Sequence, residues 1–318
     1  MVYIKDIHPG DTVISQYGIV SVRLSSYSKG FKLDVRLGDK TGTIGGILWD
    51  CDPHMRKAFK PGDVVNVNAM AVVYQDKIQL NLNSIESVEG DYDLNRLIPT
   101  SRFNRDEMWE KLLEKVNSIQ NPYIKRLLEN ILGDDSISEK FKIIPAGKKW
   151  HHNFIGGLLQ HTLYMMGIAD SLSRLYPLCD KDLLLCGVVL HDIGKIYELR
   201  LKGNIDYTSR GRMEGHISIG YYEVSKAIDK IDDFPEELAM EIKHLILSHQ
   251  GEKEMGSPVV PMTLEAVMLN LIDETDSQIN AYLRIIGEEA AEGVEWSNFI
   301  RLRERFFYFG GKYADNSK

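Results

Sequence analysis

Apolar and polar residues alternate with a period of two over the first 90 residues and recur with a helical period after that. Phe31-Lys32-Leu33-Asp34-Val35-Arg36-Leu37 alternates strictly, the mark of a half-buried strand. Gly18 to Leu24 alternates nearly as well. The turn cluster Gly38-Asp39-Lys40-Thr41-Gly42 leads into a third strand, Thr43 to Trp49. Residues 52–60 supply one or two helical turns, and Pro61-Gly62-Asp63 breaks the chain. Val64 to Tyr74 and Ile78 to Val88 then form a hairpin around Gln75-Asp76-Lys77. Three strands, a short helix and two more strands follow the order of an OB-fold, a five-stranded, partly open barrel.

From residue 104 the period becomes 3.6. Trp109, Leu112, Leu113 and Val116 share one face, and Asn121-Pro122 opens a helix carrying Ile124, Leu127, Leu128 and Ile131. From about 155 to 307 helix follows helix, with no convincing strand pair. The expected chain is multidomain: an all-β OB-fold barrel over 1–90, a helical connector over 91–135 and an all-α bundle over 136–318.

Charge and cysteine usage narrow the setting. A net charge of −8 argues against a broad basic surface that grips duplex nucleic acid everywhere. Residues 1–95 hold 10 Lys and Arg against 12 Asp and Glu, so a nucleic-acid face there requires segregated charge. Cys51, Cys179 and Cys186 show no paired spacing, and Cys186 lies in the apolar run Leu183 to Leu190. A reduced, cytoplasmic setting is expected. No signal segment or bilayer-spanning run is seen, so no membrane partner is expected.

Seven of the nine histidines fall between residues 150 and 250, well above an even spread. His191-Asp192 closes a buried apolar helix, where such a pair is costly to desolvate unless something pairs with it. A divalent metal ion answers that need, and imidazole and carboxylate suit Mn, Fe, Co, Ni or Zn. His161 shares a partly apolar helix face, His216 follows Gly215 near a helix start, and His249 ends a helix. Asp273 sits in an apolar helix, with Asp276 one turn later. A lone histidine in such a place is more often a core residue than a ligand. The set His161, His191, Asp192 and Asp273 is harder to explain that way. His244, mid-helix beside Lys243, fits an ordinary surface residue. His152 either contacts substrate or supports the metal ligands, and His151 is left unassigned.

This series, a His, then His-Asp, then a distant Asp, resembles the HD superfamily of metal-dependent phosphohydrolases. Asn153-Phe154-Ile155-Gly156-Gly157-Leu158-Leu159-Gln160-His161-Thr162-Leu163, Leu190 to Lys195, Gly215 to Gly220, Leu247 to Gly251 and Pro261 to Ala266 are similar to the YhaM-type 3′-to-5′ exoribonucleases, which also carry an OB-fold ahead of the HD domain. The resemblance implies an all-α bundle with one or two metal ions between its helices. His161, His191, Asp192 and Asp273 would hold the first ion, and His216 and His249 match the places that add a second. One departure is Gln250, where the family usually has a second histidine, so the number of ions stays open. Manganese is the leading ion, with Fe, Co, Ni or Mg as alternatives.

Two ions would activate a water and hold the phosphate oxygens of an in-line attack, with Asp192 as the bridging carboxylate. Lys195 would meet a phosphate oxygen; its competing role is a helix C-terminal cation. Arg210 and Arg212 would hold the next phosphate, or form a solvated turn. In the barrel, Tyr27, Phe31, Trp49 and Tyr74 with Lys29, Lys32 and Arg36 are candidates to stack and hold a single strand; for Phe31 and Trp49 the competing place is the barrel core. The leading expectation is a 3′-to-5′ exoribonuclease that releases nucleoside 5′-monophosphates from single-stranded RNA, with single-stranded DNA as a second substrate. The alternatives are an HD phosphohydrolase acting on a free or cyclic nucleotide, and a single-strand-binding protein with a degenerate HD site. A homo-oligomer is compatible with the sequence.

Overall fold

The computed structural model describes residues 2–310 and Tyr313. The chain divides into two compact units. One comprises the chain up to Arg102 together with Ile196–Met213; the other comprises Phe103–Lys195 together with the chain from Glu214.

The first unit is a closed barrel of β1 (Thr12–Tyr27), β2 (Gly30–Asp39), β3 (Gly42–Leu48), β4 (Val64–Tyr74) and β5 (Lys77–Ser87), in the order β1-β2-β3-β5-β4. A short α1 (Met55–Ala58) lies between β3 and β4 in the chain, and α2 (Leu94–Leu97) follows β5. All pairings are antiparallel except β3 with β5, the arrangement of an OB-fold. Inward positions follow the alternation: Leu33, Val35 and Leu37 of β2 join Val13, Tyr17 and Ile19 of β1 and Val65 and Val67 of β4 in one core. The register of β1 shifts between Ile19 and Ser21, a bulge that bends this long strand around the barrel.

One strand pair was not expected from the sequence. β6 (Leu199–Leu201) and β7 (Ile205–Tyr207) form a hairpin within this first unit. Each strand has three residues, too few to display a period. Its turn lies against the barrel backbone. Gly203 donates its N–H to Gly62 O at 2.7 Å, Asn204 Nδ2 reaches Ile19 O at 3.1 Å, and Lys202 Nζ is 2.6 Å from Asp63 Oδ1. A Cβ on Gly18 would stand 1.7 Å from Gly203 O, so this close backbone approach requires glycine there.

The second unit is helical: α3 (Arg105–Asn117), α4 (Pro122–Leu132), α5 (Asp135–Ile143), α6 (Gly157–Leu175), α7 (Lys181–Leu190), α10 (Glu236–Ser248) and α11 (Leu264–Glu289) belong to it whole, while α8 (Lys195–Glu198) and α9 (Ser209–Ile228, kinked at Gly215) are divided in sequence between the two units. Local signals set the starts. Asn104, Asn121, Asp134, Asp180 and Thr263 cap their helices with side-chain oxygens, and Pro122 takes the first turn of α4. Helix α7 is buried over Leu183 to Leu190 and packs against α6, α10 and α11. An apolar helix enclosed on several sides delivers whatever follows it into the interior. All three cysteines are buried free thiols. Among the described residues, no helix is long and apolar enough to cross a membrane.

Candidate metal centre

Four segments of the helical unit bring their polar residues to one place. His161 comes from the first turns of α6, His191 and Asp192 from the end of α7, His249 from the end of α10, and Asp273 from the middle of α11. His216 joins them from just after the kink at Gly215. His161, His191, Asp192 and His249 are buried almost completely.

Asp192 sits between two groups of histidines. Its Oδ2 lies 3.3 Å from His191 Nε2 and 3.9 Å from His161 Nε2, while its Oδ1 lies 3.4 Å from His216 Nε2 and 3.7 Å from His249 Nε2. His161 Nε2 is also 3.3 Å from Asp273 Oδ1 and 3.4 Å from His191 Nε2. The donor atoms thus form two overlapping clusters that share one carboxylate.

The far sides of the His161, His191 and His249 rings are fixed. His191 Nδ1 donates to Val188 O at 3.0 Å and His249 Nδ1 donates to Ile246 O at 2.8 Å, each using a carbonyl freed at a helix end. Both rings therefore turn Nε2 inward. His161 Nδ1 lies 2.6 Å from Asp276 Oδ2, and the same oxygen is 2.8 Å from His152 Nε2. Asn280 Nδ2 holds the other Asp276 oxygen at 2.8 Å. A carboxylate behind a histidine in this way orients the ring and raises its basicity as a ligand. Gly194 completes the turn after His191-Asp192: a Cβ there would stand 2.0 Å from His216 O, so the turn and α9 approach more closely than any side chain permits.

The electrostatics fit a site built for cations. Burial opposes the charge on Asp192, but Lys195, whose Nζ is 2.5 Å from Oδ2, and His191 outweigh it and hold the carboxyl well below the usual range. Asp273 is likewise driven below the carboxylate range, chiefly by His161 against the cost of burial. Burial favours neutral His161, yet the hydrogen bonds to Asp273 and Asp276 prevail and push it up to about 9. Burial pulls His249 down to about 3 and holds His151 well below its ordinary value. Asp192 Oδ1 and His249 Nε2 are buried with no hydrogen-bond partner among the described residues. Buried polar atoms normally find partners. Imidazole nitrogens and carboxylate oxygens facing one another in this way fit divalent metal ions.

The remaining candidates divide between this centre and the barrel's unit. Lys195 is at the centre, paired with Asp192. His152 is tied to Asp276. Arg210 and Arg212 belong to the barrel's unit: the Arg210 guanidinium lies 5.5 Å over the Tyr197 ring, and Arg212 pairs with Asp206 at 2.9 Å. On the barrel, Tyr27 meets Trp49 edge-on at 5.1 Å and donates its hydroxyl to Asp50. Lys32 Nζ stands 5.2 Å over the Trp49 ring and 3.2 Å from Asp34. Arg36, further along β2, donates to Thr43 Oγ1, and Lys29 is exposed in the β1–β2 turn. Phe31 and Trp49 are 40% and 43% exposed, so neither is core. Tyr74 projects beside the β4–β5 turn. His244, expected at the surface, accepts the Met262 N–H at 2.9 Å and bridges two segments of the helical unit.

Two participants escaped the sequence reading. Asp276 was visible as a carboxylate on an apolar helix face, but its grip on both His152 and His161 needs the fold. His151 stands beside the cluster with its ring 5.1 Å from that of His161. A His-His pair in a loop gave no periodic signal by which to place it.

Among solved structures, the second OB-fold domain of replication protein A from Methanococcus maripaludis aligns at 19% identity over 29% of this chain and 98% of that one, with a TM-score of 0.23. RecG bound to a three-way DNA junction aligns at 14% identity over 54% and 26%, with a TM-score of 0.25. The HD domain family matches residues 158–278. The 3′-5′ exoribonuclease YhaM of Geobacillus sp. (strain WCH70) is 37% identical over 291 residues, covering 91% of this chain and 88% of that protein. With an OB-fold ahead of a mostly helical region that contains the HD match, this chain belongs to the family of the YhaM 3′-5′ exoribonucleases.

Proposed function

We propose that the protein is a metal-dependent 3′-5′ exoribonuclease that shortens single-stranded RNA to nucleoside 5′-monophosphates in the cytoplasm, with Mn²⁺ as its working ion. The observation that carries this reading is Asp192, whose two oxygens face two histidine groups. His161, His191, Asp192 and Asp273 would hold one ion; Asp192, His216 and His249 would hold a second. Bound there, divalent ions supply the Lewis acidity that makes water nucleophilic at neutral pH and offsets phosphate charge. Asp192 links the two groups. Lys195, paired with Asp192, adds positive charge where a phosphate would arrive. Asp276, backed by His152 and Asn280, keeps the Nε2 of His161 aimed into the centre.

In this reading residues 1–90 hold the strand and residues 136–318 hydrolyse it. Tyr27, Phe31, Trp49 and Tyr74 offer faces for bases, and Lys29 in the β1–β2 turn with Lys32 and Arg36 on β2 would meet the backbone. Asp34 and Asp50 offset part of that charge, so binding rests on stacking as much as on phosphate contacts. Arg210 and Arg212 are further phosphate candidates, with Arg212 leaving Asp206 to act.

The test is a time course on 5′-labelled single-stranded RNA with Mn²⁺, beside a panel of free and cyclic nucleotides. A ladder that shortens one nucleotide at a time from the 3′ end, releasing 5′-monophosphates, is expected. Inert RNA with rapid turnover of a free nucleotide would replace this reading with that of a nucleotide phosphohydrolase.

A further inference from the structure

His151 has both ring nitrogens buried, and neither has a hydrogen-bond partner among the described residues. A buried imidazole in that state is costly and calls for a cause. Its surroundings are not those of a core residue. A ring nitrogen lies within 4.8 Å of the donor atoms of His161 and Asp273.

The backbone holds it there. The next residue, His152, takes a left-handed conformation (φ 41°) that non-glycine residues rarely adopt, and its side chain is locked on Asp276. Strain of this kind persists where the surrounding structure imposes it, and it gathers at functional sites. The outcome is that the two neighbouring histidines differ: His152 is tied to Asp276 behind His161, while His151 lies beside His161 and Asp273 with no hydrogen-bond partner among the described residues.

We propose that His151 is a phosphate-contacting catalytic residue whose ring N–H donates to an oxygen of the phosphoryl group undergoing hydrolysis. This rests on the hydrolytic reading of the site, though not on RNA as the substrate. The rival role is a further metal ligand. His161, His191, Asp192 and Asp273 already offer four donors, and a catalytic ion must keep open positions for water and substrate. A fifth protein donor would consume one of them. A phosphate oxygen beside Asp273 also needs a donor there, since a carboxylate repels it, and His151 is the group at hand.

The test uses the full-length protein and the variants His151→Ala and His151→Asn, the latter keeping an N–H donor. Bound Mn²⁺ per chain is counted by mass spectrometry of the metal-loaded protein. Affinity for inorganic phosphate is read by calorimetry, and kcat and KM are measured on bis(4-nitrophenyl) phosphate. His151→Ala is expected to keep the wild-type metal count, bind phosphate about tenfold more weakly and lose on the order of 10²-fold in kcat, the usual consequence of removing one donor to a developing oxyanion. His151→Asn should recover part of both losses. Loss of one metal equivalent in either variant would make His151 a ligand and overturn the proposal. Wild-type phosphate affinity and kcat in either folded variant would overturn it as well. Wild-type protein that cleaves the generic diester but leaves RNA intact would remove the RNA reading and leave this test in force.

Discussion

In the helical unit the candidate residues are buried or half-buried around Asp192, and Asp192 Oδ1 and His249 Nε2 have no hydrogen-bond partner among the described residues. On the barrel the candidates are exposed or half-buried and pair with their own neighbours: Lys32 with Asp34 and Trp49, Tyr27 with Asp50, Arg36 with Thr43. The two regions teach how far burial sharpens inference. Burying a His or Asp costs free energy that little except a ligand or a well-placed partner recovers. An exposed lysine or tryptophan costs almost nothing, so its presence constrains function weakly. The hydrolytic centre should accordingly respond to single substitutions by orders of magnitude, and the barrel face by small factors.

The largest effect is expected at the shared carboxylate. Asp192→Asn should reduce turnover by at least about 10³-fold, as for a group on which the whole catalytic set depends. Circular dichroism should remain that of the wild type, because Leu183 to Leu190 hold the helix. Turnover within tenfold of wild type would remove Asp192 from the chemistry. Next comes the carboxylate behind His161. Asp276→Ala should weaken metal binding by roughly 10–100-fold, the range typical for groups that orient a ligand; titration of the metal-free protein with Mn²⁺ measures it.

A smaller, graded effect follows from the proton on His161. That residue holds its proton up to about pH 9 in the metal-free protein, and Nε2 must release it to take a metal. Apparent affinity should rise by about tenfold per pH unit from pH 7 to 9 and level off above. The same shift has the opposite sign for the metal-free fold. A folded pKa above the ordinary 6.5 contributes stability that is fully present below pH 6.5 and disappears as pH rises through about 9. Thermal melts in EDTA should therefore fall across that window, and melts that rise across it would contradict the assignment. The smallest effect belongs to the barrel. Trp49→Ala should weaken binding of long RNA about fivefold, the low end of base stacking at ~1–3 kcal/mol per base, and leave hydrolysis of a small diester unchanged. A loss there as large as that of Asp276→Ala would erase the contrast between the regions.

How much could be read from the sequence follows the same division. Strand β2 was legible because Leu33, Val35 and Leu37 all face inward and Lys32, Asp34 and Arg36 do not. The first turns of β1 were not, because Ser15 occupies an inward position. Its hydroxyl is satisfied by the backbone of Val2, which also accepts from the Tyr17 hydroxyl, so a polar residue replaced an apolar beat. The hairpin β6–β7 lacked the length to show alternation. At the metal centre, the position of His191-Asp192 at the end of an apolar helix carried the signal. The partnership of His152, Asp276 and His161 did not, since it joins residues 115 and 124 positions apart.

The hairpin has a consequence for the order in which the protein can be made. The barrel's strands are complete by Ser87, yet the turn that fits against Gly18 and Gly62 arrives only with Lys202 to Asn204. On a ribosome, the barrel emerges first and must wait with a glycine-lined seat uncovered while α3 to α7 are synthesised. His161, His191 and Asp192 are translated during that interval, and His216, His249 and Asp273 only after the seat can be filled. The barrel's unit is completed only by Ile196–Met213, after the helical unit has begun at Phe103, so synthesis interleaves the two.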